Sequence, residues 1–193
     1  QKKIIVTGFN SKKIKKFIID NKFREVKNKY YNNTNMVYSA FCPAKNIFSD
    51  VVICYSDIIF DHNIFRDLRS KSNLIILKKN WLKIWRGRMN FDKIKDDAED
   101  VVIEKNKNIK IGEKIEKKLP KFQYMGIIKL RYKTYKKLEK FFLELNNKKL
   151  DFTSFLNLAI QNKITYFKPF VTSKKWFEID TFKDIKFTEK NLW

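Results

Sequence analysis

Apolar and polar positions follow one rhythm up to about residue 80 and another rhythm beyond it. In the first part, short apolar runs alternate with segments whose apolar residues recur at helical spacing, which predicts the alternating strands and helices of an α/β fold. The run at 51–55 is apolar almost throughout, which is typical of a strand covered on both faces of a parallel sheet. The strands predicted in this part are 3–7, 24–27, 51–55 and 74–77. Helices are predicted after residue 11, after a cap at either Thr34 or Asn35, and from about residue 63 to 68.

The second part predicts a hairpin, two amphipathic helices and further strands. Residues 101–103 and 109–111 form the hairpin, and the segment 134–145 places Leu138, Phe141 and Phe142 on one helical face. Either Asp151 or Thr153 caps the next helix, which runs to residue 161. Strands are also predicted at 123–130 and 164–167, and a terminal helix opens at 181–185. The whole pattern predicts one α/β domain with a mostly parallel central sheet flanked by helices and a small β extension around residues 100–130.

Composition leaves the predicted fold unchanged and bears only on which ligands the protein binds. The chain has 193 residues and a formal net charge of +22, which raises the question of nucleic-acid binding. The basic excess is mainly Lys, spread through every predicted element, whereas Arg, the better reader of bases and phosphates, is scarce. A solvated surface is therefore favoured. A non-catalytic basic nucleic-acid-binding domain stays as the alternative from another class.

Membrane insertion and secretion are disfavoured by the same sequence. No apolar run approaches the roughly 20 residues of a membrane-spanning helix, and the first residues lack the pattern of a signal peptide. Cys42 and Cys54 have no CxxC spacing and no Cys/His cluster around them. They are predicted to be two reduced, buried thiols in a cytoplasmic protein.

The candidate chemistry lies in two acidic residues set in apolar stretches far apart in the chain, Asp57 and Asp180. A carboxylate at the end of a buried strand is costly unless it is paired or binds a cation. Mg²⁺ takes one or two protein carboxylates and completes its shell with water and substrate phosphates. The pair therefore predicts a shared Mg²⁺ site. The alternative is that each residue only caps the turn or helix that follows it.

Five short motifs occur in order along the chain. They are a Thr-Asn-x-x-x-Ser helix start, an Asp at a strand end, an Ile-Gly-x-Lys-Ile segment, an aromatic-x-Gly-hydrophobic strand and a Trp-x-Glu-Ile-Asp-Thr motif, at 34–39, 54–60, 111–115, 124–127 and 176–181. This series resembles the sugar-nucleotidyltransferase-like superfamily, and within it the phosphocholine and phosphonate cytidylyltransferases. The segments 81–88 and 97–102 are also similar to that branch, so the resemblance spans essentially the whole chain.

The resemblance implies a Rossmann-like nucleotidyltransferase fold and a Mg²⁺-dependent reaction. Asp57 and Asp180 would coordinate the metal on the nucleotide and acceptor phosphates, and Lys114 would neutralise the acceptor phosphate. CMP would pass from CTP to phosphocholine, an aminoalkyl phosphonate, or a phosphorylated amino acid or amide such as phosphoglutamine, with release of pyrophosphate. The implied role is decoration of bacterial surface polysaccharides. A thymidylyl- or uridylyltransferase that acts on a sugar 1-phosphate is the alternative enzyme.

Further side chains are candidates for substrate binding. Trp81 and Trp85, at i and i+4, offer indole faces to an acceptor, and Arg88 offers a fork for phosphate or carboxylate; packing is the alternative for both tryptophans. Tyr124 lies near a glycine on a strand, where a ligand can approach the backbone. Acidic residues at 96–100 face either an ammonium group of an acceptor or solvent. The motifs also make Asn35 and Glu178 candidates for substrate binding.

The glycine-rich loop of the family pattern has no counterpart in this sequence, which contains only four glycines. The glycine-rich loop and downstream lysine that hold the nucleoside triphosphate in the family would precede the strand at 3–7. We therefore expect residues 1–193 to form a single nucleotidyltransferase domain that lacks its N-terminal strand and glycine-rich nucleotide loop. A homodimer is one of the arrangements left open.

Overall fold

The computed structural model describes residues 2–104, 109–113, 115 and 118–192. The strands are β1 (Ile4–Thr7), β2 (Arg24–Lys27), β3 (Val51–Cys54), β4 (Ile58–Phe60), β5 (Leu74–Lys78), β6 (Asp100–Ile103), β7 (Ile109–Glu113), β8 (Gln123–Leu130), β9 (Lys168–Thr172) and β10 (Trp176–Glu178). The helices are α1 (Lys15–Asp20), α2 (Met36–Phe41), α3 (Ile64–Asp67), α4 (Trp81–Arg86), α5 (Phe91–Asp97), α6 (Tyr132–Leu145), α7 (Phe152–Gln161) and α8 (Phe182–Leu192).

The central sheet has four strands in the order β3, β8, β5, β9. Strand β8 is antiparallel to both of its neighbours, and β5 is parallel to β9. Three of the four strands therefore point the same way, with β8 inserted between two of them in the opposite direction. The carboxyl ends of β3, β5 and β9 meet the beginning of β8 at one edge of the sheet, and ligands bind at such edges in open α/β folds.

Two buried clusters cover the two faces of this sheet, as the pleat of the central strands requires. Ile75 and Leu77 of β5 join the cluster that contains α2, α6 and α7. Leu74 and Ile76 join the cluster that contains α3, α4 and α5. Every residue of β5 and β8 is buried, and the α/β class predicted from the alternating pattern is confirmed.

Several helix boundaries follow the predicted caps. The side chain of Asn35 accepts a hydrogen bond from the Met36 amide, and Asp151 accepts one from the Ser154 amide. The predicted terminal helix is α8, and the predicted hairpin is β6 paired with β7. Among the described residues, no helix combines the length and the apolar composition that crossing a bilayer requires.

The sequence interpretation was wrong for several strands. β3 pairs antiparallel with β8, and Val52 and Cys54 on it are exposed, so β3 is not covered on both faces. Neither cysteine is buried. The late strand is Lys168–Thr172 and not 164–167. The strand at 123–130 belongs to the centre of the main sheet, because its apolar run at 124–128 suits a strand covered on both faces. Only β6 and β7 form the β extension.

A glycine in β8 sets the distance between two layers near the sheet edge. Gly126 has φ of +69°, and a Cβ atom there would lie 2.8 Å from ring atoms of Tyr55. The Tyr55 amide donates to the Gly126 carbonyl at 2.9 Å. Only glycine therefore allows Tyr55 to pack directly on β8.

We predict that Gly126→Ala destabilises the fold through backbone strain and through displacement of the Tyr55 ring. The left-handed backbone alone costs roughly 1–2 kcal/mol for a residue with a Cβ atom. Urea unfolding of Gly126→Ala, compared with the double variant Gly126→Ala/Tyr55→Leu and with Tyr55→Leu, separates the two contributions. A Gly126→Ala variant as stable as the unchanged chain would contradict this packing.

Candidate active site

The pairing of β10 with β4 brings the two predicted carboxylates together. Glu178 lies opposite Ile58 in the antiparallel register, and the Ile179 amide donates to the carbonyl of Asp57 at 2.8 Å. Asp57 is therefore flanked across the strand pair by Glu178 and Asp180. Residues separated by more than 120 positions in sequence share one acidic cluster because of this short pairing.

Arg88 lies at the centre of this cluster. Its Nε atom donates to Asp184 at 2.9 Å, Nη1 to Glu178 at 3.3 Å and Nη2 to Asp180 at 2.5 Å. The Arg88 side chain is 1% exposed. Burial lowers its pKa, but the contacts with the three carboxylates more than offset this and raise it above its ordinary value. The guanidinium is therefore a fixed positive charge.

Asp184, in the first turn of α8, connects Arg88 to the backbone of the Asp180 loop. One oxygen accepts from Arg88, and the other accepts from the amide of Asp180 and from both the amide and the hydroxyl of Thr181. Burial alone would raise the pKa of Asp184, but these hydrogen bonds lower it to about 2. Asp184 thus fixes the start of α8 and the guanidinium together.

Arg88 follows the end of helix α4 by two residues, and the packing of this helix determines its position. Trp81 and Trp85 of α4 are 1% and 3% exposed and pack edge to face at 5.1 Å between ring centroids. A Cβ atom on Gly87 would lie 2.4 Å from the Phe187 ring of α8. The absent side chain at Gly87 lets α8 approach the end of α4, which places Arg88 beside Asp184.

The crowding of negative charge raises the pKa values of two other carboxylates in the cluster. The pKa of Glu178 is raised to about 7, first by burial, then by Asp180 and Asp57, against the lowering effect of Arg88. Partial desolvation of its carboxyl group and the charge of Asp180 also raise the pKa of Asp57. A cation would relieve this repulsion. Asp57 is exposed and the Asp180 side chain is 55% exposed, so both are open to solvent.

A cavity of about 660 Å³ lies among the end of α5, strand β7 and the start of α7. Its walls carry five carboxylates in a chain that is otherwise strongly basic: Asp96, Asp97, Glu99, Glu113 and Asp151, with Lys95, Gly112, Thr153 and Ser154 among their neighbours. Glu99 Oε1 accepts a hydrogen bond from Thr153 at 2.7 Å, while its buried Oε2 has no partner within the described residues. The cavity is therefore suited to a positively charged group.

Tyr55 packs against the start of α7, where its ring lies 6.1 Å from that of Phe152, between the cavity residues Asp151 and Thr153. Burial raises the pKa of its phenol, and the charges of Glu99, Asp151, Asp57 and Glu178 raise it further. Its ring packs edge to face on Tyr124 at 5.8 Å. The cluster and the cavity thus form two neighbouring parts of one acidic region.

The other predicted site residues lie in different surroundings. Both tryptophans are in the core, where Trp81 Nε1 donates to the Pro120 carbonyl, so packing accounts for their spacing. The guanidinium of Arg88 donates hydrogen bonds to carboxylates of its own chain. Tyr124 is 4% exposed and packs beneath Tyr55. Asn35 caps α2 and contacts the carbonyl of Lys149. Lys114 lies outside the described residues.

Sequence reasoning missed three members of this region. Asp184 stood within the predicted helix start, three residues after Thr181, which is the spacing of a capping contact. Tyr55 precedes Asp57 by two residues on the same strand end. Glu99 belongs to an acidic run in the sequence, and no local pattern indicates that the Thr153 hydroxyl donates a hydrogen bond to it.

No protein-family model and no curated protein matches the sequence. The fold is similar to the inositol-1-phosphate CTP transferase of T. maritima, at 18% identity and a TM-score of 0.70, over 94% of this chain and 71% of the other. It is similar to the CTP:phosphocholine cytidylyltransferase of Streptococcus pneumoniae, at 16% identity and a TM-score of 0.71, over 100% and 78%.

A third similar structure is assigned as a glucose-1-phosphate thymidylyltransferase of Bacillus anthracis, at 15% identity and a TM-score of 0.66, over 95% of this chain and 72% of the other. Likeness at these identities shows the fold. The chain has the fold of these nucleotidyltransferases, and the fold implied by the ordered motifs is confirmed.

The pKa of Glu99 provides a test of the cavity. Burial raises this pKa from 4.5 to about 6, against the lowering effect of the Thr153 hydrogen bond. The protonated form is favoured in the fold, so its stabilisation is present below the unfolded pKa and is lost as pH rises through about 6. We predict that Glu99→Gln removes up to about 2 kcal/mol of this pH dependence of the free energy of unfolding.

Urea unfolding between pH 4.5 and 7.5 measures this difference. The variant should gain stability relative to the unchanged chain at the upper end of the range and little at the lower end. Glu189→Gln, at an exposed position of α8, is the matched control. Parallel stability curves for Glu99→Gln and the unchanged chain would contradict a buried, poorly solvated Glu99.

Proposed function

We propose that this chain, which has the fold of the nucleotidyltransferases described above, is a Mg²⁺-dependent cytidylyltransferase that transfers CMP from CTP to a small phosphorylated acceptor and releases pyrophosphate. The observation that carries the proposal is the convergence of Asp57 and Asp180 at the carboxyl edge of the sheet. The preference for CTP is supported by the ordered motifs and by the two similar structures named for CTP-dependent transfer.

The residues present fit a Mg²⁺ ion held by Asp57 and Asp180. Both offer solvent-accessible carboxylate oxygens, the ligand type that Mg²⁺ prefers. Within the described residues, no group of three His, Cys, Asp or Glu side chains is arranged to hold a metal. Mg²⁺ commonly takes one or two protein carboxylates and completes its shell from water and phosphates. When bound, Mg²⁺ would supply charge neutralisation for the phosphates.

The chain's own residues have positioning roles in this proposal. Nucleotidyl transfer to an acceptor that is already an anionic phosphate needs alignment and charge neutralisation more than a general base. Asp57 and Asp180 mark the place where the phosphates meet, and Arg88 holds Asp180. By resemblance, Lys114 neutralises the acceptor phosphate. The exposed His62 then needs no catalytic role.

The acidic cavity supports an acceptor that carries a positive charge. Glu99 and Asp151 face a space large enough for a small molecule, and the aromatic ring of Tyr55 packs near its wall, against Phe152. An ammonium group is stabilised by carboxylates and by aromatic faces. Phosphocholine or an aminoalkyl phosphonate is therefore favoured over a sugar 1-phosphate. Such products would serve the decoration of bacterial surface polysaccharides.

A thymidylyl- or uridylyltransferase is the second candidate, favoured by the similar Bacillus anthracis structure. We predict that pyrophosphate release, measured for all four nucleoside triphosphates against one acceptor panel, is highest with CTP and an amine-bearing phosphate or phosphonate. Release with dTTP or UTP and a sugar 1-phosphate, and none with CTP, would support the second candidate instead.

We also predict that Asp57→Asn and Asp180→Asn lose at least about 100-fold in turnover, because each removes a ligand from the cation site. Neither should unfold the chain, since the neutral amide reduces repulsion in the cluster. Circular dichroism and thermal unfolding measure the fold, and Asp20→Asn in exposed α1 is the control. A nucleic-acid-binding domain would instead show salt-sensitive binding that neither substitution affects.

A further inference from the structure

The guanidinium of Arg88 connects carboxylates that differ sharply in exposure. The Asp184 side chain is 6% exposed, Glu178 is 22% exposed and Asp180 is 55% exposed. Arg88 is therefore anchored at its buried end and reaches towards solvent at its other end. Its three nitrogen atoms each donate to a different carboxylate of the chain, so the guanidinium fork is directed at internal partners.

The anchor is rigid because three separate contacts define it. Asp184 is held by the backbone amides of Asp180 and Thr181 as well as by Arg88. Gly87 packs directly against Phe187 of α8. The position of the guanidinium thus follows from the packing of α4 on α8, and the guanidinium in turn limits where Asp180 can lie.

We propose that Arg88 is a positioning residue that presets Asp180 for cation binding beside Asp57. This inference rests on the proposed function. One positive charge faces three carboxylates, with Asp57 beside them, so the cluster keeps an excess of negative charge for a cation. Lysine cannot replace arginine here, because an ammonium group is a point donor and lacks the planar fork that reaches three separate partners.

The first test is Arg88→Lys, which keeps the charge and removes the fork. Mn²⁺ binding, followed by electron paramagnetic resonance in the full chain, should weaken by about 10–100-fold, the usual effect of losing a partner of a metal ligand. The kcat for pyrophosphate release should fall by a similar factor, while the KM for CTP changes much less. Arg86→Lys, at an exposed position two residues away, is the matched control and should alter neither.

A second variant separates positioning from simple neutralisation of Asp184. Arg88→Met alone leaves buried carboxylates unpaired and should lower the melting temperature. Arg88→Met/Asp184→Asn has the same net charge as the unchanged chain and retains an acceptor for Thr181, so most of the stability should return. Mn²⁺ affinity should stay at least about 10-fold weaker.

The outcomes are distinct. Full recovery of Mn²⁺ affinity in the double variant, or Arg88→Lys with unchanged Mn²⁺ affinity and kcat, would overturn the positioning role and leave the proposed function intact. An unchanged full-length protein that neither binds Mn²⁺ nor releases pyrophosphate with any nucleotide would overturn the proposed function, and the positioning role with it.

Discussion

The candidate site depends on the antiparallel pairing of β10 with β4. Trp176 at the start of β10 is fully buried, and its indole nitrogen donates to the carbonyl of Met125 in the central sheet at 3.0 Å. This contact fixes β10 against the sheet, and the pairing then places Asp180 beside Asp57. A short strand of three residues thus determines the geometry of a cluster whose members come from distant parts of the chain.

The same arrangement concentrates negative charge in a small region where the carboxylates repel one another. Glu178 and Asp57 are both held with raised pKa values, and Arg88 offsets only part of their repulsion. Perturbed titrations of this kind, in an accessible acidic region, are characteristic of sites that bind or transform a charged ligand. The acidic cavity beside Tyr55 extends this feature. In a chain with a net charge of +22, the carboxylate cluster and the cavity together hold nine of the 21 acidic residues.

Local patterns predicted much of this architecture. Apolar periodicity gave the helices α6 and α7, and the caps at Asn35 and Asp151 lie where short polar side chains precede apolar runs. The convergence of Asp57 with Asp180 followed from motif order. Strand direction and layer assignment did not follow, because an apolar run such as 123–130 reads the same in a parallel or an antiparallel sheet. The sequence did not predict the partners of Arg88 either, because a guanidinium binds the phosphate of a ligand and the carboxylates of its own chain in the same way.

The central claim is that Asp57 and Asp180 together hold the cation on which nucleotidyl transfer depends. Anomalous diffraction from crystals grown with Mn²⁺ and CTP tests this most directly, because the ion can be located independently of activity. We predict an anomalous peak that contacts both carboxylates and the nucleotide phosphates. A peak that contacts neither Asp57 nor Asp180, with CTP bound elsewhere on the chain, would contradict the account.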